Sequence, residues 1–125
     1  ISFMEREPDD RMKELTYLTI CLSDSNLSAT ARIYGYMSEG LVGLFEAVAR
    51  EWRSFRGPIS WSSLECELNV EITHDGLGHF SIVNNLTESS IDPAWEVTNT
   101  VIVETSQLDR IAYELRTFIG QTTSL

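Results

Sequence analysis

Twice along this 125-residue chain the apolar spacing changes from every second position to every third or fourth, and that switching leaves few folds open. Leu18, Ile20 and Leu22 alternate with Tyr17, Thr19 and Cys21. After the polar cluster Ser23-Asp24-Ser25-Asn26, Leu27, Ala29, Ala31 and Ile33 alternate again, which predicts a hairpin. From Glu39 to Phe55 the residues Leu41, Leu44, Phe45, Val48, Trp52 and Phe55 fall at helical spacing, with Ser38 as N-cap and Gly57-Pro58 as the stop. Leu64, Cys66, Leu68, Val70 and Ile72 return to period two; Phe80, Ile82 and Leu86 mark a further strand, and Trp95, Val97, Val101 and Val103 another. A second helical stripe, Leu108, Ile111, Ala112, Leu115 and Ile119, follows a Ser106–Asp109 capping box and ends at Gly120.

Strands joined by short turns run antiparallel, and one-sided helices need an apolar sheet face to cover. The expected fold is therefore α+β: a five-stranded antiparallel sheet with two amphipathic helices packed on one face, in the order ββαβββα. Residues 1–13 read as an irregular N-terminal arm, 14–120 as a single domain and 121–125 as a tail. A chain of this length buries roughly two thirds of its unfolded surface, enough for one core.

The bulk property that stands out is charge. Nineteen acidic against nine basic residues give a net charge of −10, a field that repels nucleic acid and anionic membrane and favours encounter with cationic partners. No run approaches the roughly 18–20 apolar residues of a membrane span, and the first residues lack the basic region and apolar run of a signal peptide, so a cytoplasmic protein is expected. Cys21 and Cys66 fall in apparent strands without metal-ligand spacing and are expected to be reduced.

The most distinctive local run is His74-Asp75-Gly76-Leu77-Gly78-His79. If Ile72 and Ile82 share the buried face, His74 lies opposite Phe80, Asp75 opposite His79, and Gly76-Leu77-Gly78 forms a three-residue loop with Gly78 left-handed. Asp75 and His79 then meet on the non-core side while His74 points the other way. An Asp beside a His orients the ring for general-base work or for second-shell support of a metal, and it equally serves to hold a hairpin end. With no third ligand nearby, no metal or cofactor is expected.

A second candidate surface is acidic. Glu65, Glu67 and Glu71 alternate with the apolar residues of their predicted strand, with Glu96 or Glu104 as a neighbouring extension. Carboxylates two residues apart on a strand stand about 7 Å from each other, a spacing suited to facing arginines on a partner or simply to a solvated outer face. Tyr17 and Tyr34, with Tyr36, are the aromatic candidates on the first hairpin, where tyrosines either anchor interfaces or pack across strands. Trp52, Trp61 and Trp95 sit at core positions. No Ser lies in a Gly-x-Ser-x-Gly turn and no glycine-rich loop leads into a helix, so the common enzyme templates are absent.

The run Trp61-Ser62-Ser63-Leu64-Glu65-Cys66-Glu67-Leu68, followed by His74-Asp75-Gly76-Leu77-Gly78-His79 and then Trp95, resembles a family of small bacterial proteins of unknown function, largely from actinomycetes, with the pattern W-x-x-L-E-x-x-L and then H-D-G-x-G-H. The resemblance spans about residues 15–120 and departs at Cys66, where small residues are usual; it implies a shared fold and assigns no catalytic residue. Size, acidity and the lack of catalytic motifs are also similar to immunity proteins of bacterial toxin systems. The expected function is accordingly an acidic protein-binding module, most concretely an immunity-type inhibitor that docks on a basic cognate toxin, and not an enzyme. The rival readings are a metal-assisted hydrolase or small-ligand enzyme using Asp75 and His79, and a homodimeric structural subunit.

Overall fold

The alternating segments pair into two antiparallel sheets rather than one. A computed structural model of the chain describes residues 2–8, 16–34, 39–89 and 91–120. The first sheet has three strands in the order β1 (Ser2–Pro8), β2 (Thr16–Asp24) and β3 (Leu27–Tyr34); the second has four, β4 (Ile59–Ser62), β5 (Leu68–His74), β6 (His79–Glu88) and β7 (Trp95–Glu104). Helix α1 (Glu39–Arg50) separates the sheets in sequence and α2 (Thr105–Gly120) closes the fold, so the chain is α+β with two helices.

The five-stranded expectation is corrected by two further strands. Ser2–Pro8, expected as an irregular arm, pairs with β2 through a register that shifts between Phe3 and Glu5. Its extended form follows from the free edge that β2 offers, since β3 occupies only the other edge. In β4, Ile59 and Trp61 alternate with Ser60 and Ser62 over 4 residues, the shortest run in which that period shows. It caps the β5 edge, with Trp61 opposite Val70.

The pairing registers decide what is buried. Leu18 pairs with Ile33 and Ile20 with Ala31, putting both sets on one face. In the second sheet Val70–Asn84–Asn99 and Ile72–Ile82–Val101 form rows across β5, β6 and β7. Residues of both sheets and both helices join in one buried cluster, including Leu18, Ile33, Val48, Phe80 and Leu115. Each fully buried side chain of this kind contributes about 1.5–3 kcal/mol relative to exposure. Both helices cover the same face of the second sheet, as expected: Leu41 and Phe45 of α1 and Ile111 and Leu115 of α2 face Val70, Ile82 and Val101 across a common space.

Helix α1 ends at Arg50, five residues before the predicted Phe55. The helical spacing persists because Phe55 N–H still reaches Glu51 O at 3.1 Å, and Trp52 and Phe55 pack against the core from a turn. Ser38 lies outside the described residues. Helix α2 follows β7 without a loop, and its start is fixed one strand end earlier than the predicted box. Glu104 N–H donates to the Gln107 side chain at 2.8 Å, and Thr105 N–H donates to Gly78 O at 3.1 Å, in place of a Ser106–Asp109 cap. The two helices are tied by Arg116, which donates to Glu46 at 2.7 and 3.2 Å and to Glu39 at 2.6 Å.

Candidate functional site

The hairpin between β5 and β6 has the register predicted from its residues. His74 pairs with Phe80, and Asp75 N–H donates to His79 O at 3.1 Å, leaving Gly76-Leu77-Gly78 as the loop. Gly76 and Gly78 take φ of 86° and 89°, a left-handed backbone that glycine accepts without strain. A side chain at Gly78 would also stand 3.3 Å from Thr105 Oγ1, so the loop seats closely on the start of α2.

Asp75 and His79 meet as expected. His79 Nδ1 donates to Asp75 Oδ2 at 2.9 Å, while Asp75 Oδ1 accepts from Leu77 N–H at 2.6 Å and from His79 N–H at 3.2 Å. The Leu77 bond, then those from His79, hold the Asp75 carboxyl below its usual range. Both oxygens of this carboxylate therefore organise the loop, which accounts for the pair's geometry without any chemistry. An open cleft of about 440 Å³ lies beside it, between Trp52, the loop and the first residues of α2.

His74 goes inward, as its register requires. Its ring stacks on Phe80 with centroids 4.2 Å apart and meets Trp52 edge-on at 6.3 Å. Gly78 N–H donates to Nε2 at 3.0 Å, while Nδ1 lies 2.9 Å from Phe55 O and 3.3 Å from Arg56 Nη1. This imidazole is buried and belongs to the core.

The acidic triad is redistributed. Only Glu71 stands on a strand, exposed on β5; Leu64 to Glu67 is a turn, where Cys66 takes φ of 62° and is exposed. Alternation ahead of Leu68 was therefore a turn's composition, not a pleat. Glu65 is exposed on that turn, and Glu67 accepts from the buried Ser63 hydroxyl at 2.8 Å. What replaces the triad is a whole sheet face. Opposite the helices, Ser62, Asn69, Asn85 and Thr98 form a row across all four strands of the second sheet, linked through Asn69 to Ser62 at 2.5 Å and through Asn85 to Thr98 at 2.8 Å and Glu96 at 2.5 Å. Glu71, Glu96 and Glu104 are exposed on the same face, and among the described residues no Lys or Arg occurs on its strands. No described element covers it.

Tyr17 and Tyr34 are register partners at one end of the β2–β3 pair. Their side chains, and all of Tyr36, lie outside the described residues. Cys21 and Cys66 are free thiols, and Trp52, Trp61 and Trp95 pack against the core while remaining partly exposed. Among the described residues no three His, Cys, Asp or Glu side chains gather as a metal site requires.

One feature had no motif to announce it. Between α1, α2 and the inner face of the second sheet lies a cavity of about 450 Å³, walled mainly by Leu41, Phe45, Val70, Val103 and Leu115 and bordered by Asn84. Asn84 is 1% exposed; its Nδ2 donates to Asn99 Oδ1 at 3.2 Å, and its own Oδ1 finds no donor among the described residues. An unpaired buried acceptor of this kind costs about 1–3 kcal/mol. The sequence signal is an Asn at a core-face position between Ile82 and Leu86.

No helix among the described residues is long and apolar enough to cross a membrane. No curated protein and no solved structure matches the chain. A family model does, over residues 1–122, and the chain belongs to it: the Family of unknown function (DUF6228).

Proposed function

Membership of a family without an assigned reaction leaves the site as the guide, and we propose that this chain is an acidic protein-binding module whose open sheet face docks on a basic protein. The observation that carries the reading is the uncovered face of β4 to β7, where Glu71, Glu96 and Glu104 stand among Ser, Thr and Asn with no Lys or Arg on its strands among the described residues. The hydrogen-bonded row beneath them fixes the surface before a partner arrives, which lowers the ordering cost of association. Val83 and the exposed Ile102 supply apolar contact on the same face, and the net charge of −10 speeds encounter with a cationic partner. The most concrete form of this reading is an immunity-type inhibitor that covers the basic cleft of a cognate toxin.

The rival hydrolase reading has the Asp75–His79 contact in its favour, but that carboxylate is already committed to the loop. The homodimer reading would use the same open face. Capture from a lysate of the native host, at low and moderate salt, tests the proposal together with the Glu71→Lys/Glu96→Lys/Glu104→Lys variant. The expected result is one basic polypeptide in near-equal amount, lost with the triple variant while circular dichroism is unchanged, and relief of that polypeptide's toxicity on co-expression. Equal recovery with the variant, or self-association seen by light scattering with no other partner, would overturn it.

A further inference from the structure

We infer that the cavity between α1, α2 and the second sheet is a binding site for a small uncharged hydrophobic molecule that carries one hydroxyl or N–H donor. Three observations converge. At about 450 Å³ the space is some three times the ~150 Å³ apolar cavity that takes up benzene in an engineered core, and it lies within the range of small-molecule pockets. Its lining is apolar apart from Asn84 and Glu114. Asn84 borders the space, buried with its Nδ2 engaged by Asn99 and its Oδ1 finding no donor among the described residues, so a small turn of this side chain presents one acceptor to the cavity.

Access and charge narrow the class. Val101, Ile111 and Phe118 are partly exposed and Glu114 is exposed, so the cavity opens between β7 and α2. A carboxylate at the mouth and a net charge of −10 work against anions, fatty acids included. An orphan acceptor in an apolar wall favours a neutral donor, because a hydrogen bond formed there is shielded from water. This site lies on the opposite side of the second sheet from the acidic face and does not depend on its role.

Titration of the full chain with N-phenyl-1-naphthylamine, a neutral probe with a single N–H, tests the assignment. Saturable one-to-one enhancement of emission is expected. Displacement by diphenylamine should be about tenfold tighter than by its isostere diphenylmethane, the discrimination that one hydrogen bond provides. Val101→Phe and Ile111→Phe fill the space from β7 and from α2, and each should weaken the probe at least about tenfold. Asn84→Leu should keep binding but abolish the preference for diphenylamine. Charge reversal at Glu71, Glu96 and Glu104 should leave all of this unchanged, which separates the site from the proposed protein interface. Absence of saturable binding, binding indifferent to both filling variants, or equal displacement by the two competitors would overturn the inference.

Discussion

Asn84 and Asn85 are consecutive residues of β6 that face opposite sides of one sheet, and their amides are treated in opposite ways. Outward, Asn85 is tied to Asn69, Thr87, Glu96 and Thr98, although water is at hand to satisfy it. Inward, at a buried position, Asn84 has one partner among the described residues and an oxygen that finds no donor among them. Stability alone would choose the reverse, since an unmet polar group costs most where it is buried. The outer face is thus ordered beyond what solubility needs, and the inner face keeps a polar defect in an otherwise apolar wall. Each departure is the observation on which one of the two proposals above rests.

The contrast predicts graded effects. Phe80, fully buried between His74 and Phe55, anchors the inner face, and Phe80→Ala should lower the unfolding free energy by about 3–5 kcal/mol in urea denaturation. Asn85→Ala on the outer face should cost only about 0.5–1.5 kcal/mol, since the partners it leaves turn to solvent. An Asn85 loss as large as that of Phe80 would erase the distinction between a packed and a hydrogen-bonded face. The smallest effect concerns acid. The Asp75 carboxyl is held below its ordinary value of 3.8, mainly by Leu77 N–H, so its contribution is complete above that pH and disappears as pH falls through the lowered value. Glu46, held down by its bond to Arg116, acts in the same direction. Asp75→Asn should therefore lower the urea midpoint slightly at neutral pH and flatten its decline below about pH 4; an unchanged acid slope would remove Asp75 from the account.

How far these features could be read from the residues depends on how local their causes are. The β5–β6 hairpin was legible because Ile72 and Ile82 fix its register and the glycines fix its loop, and the Asp75–His79 contact followed from those alone. β1 was not, since its strand form comes from the edge of β2 and not from its own pattern. Glu65 and Glu67 misled because Leu64, Cys66 and Leu68 mimic a pleat across a turn whose left-handed Cys66 no period reveals. The cavity draws its walls from α1, α2 and three strands between Leu41 and Phe118, and only the core-face Asn84 hinted at it.

The inward histidine carries a consequence for motion. His74 accepts from the hairpin loop at Gly78 through Nε2 and meets Phe55 O and Arg56 Nη1, beyond the end of α1, through Nδ1. One buried ring thus ties the hairpin loop to the segment behind α1, so the two are held or released as a unit. The loop's Gly78 amide should accordingly be slow to exchange with deuterium, and it should be released together with the segment behind α1.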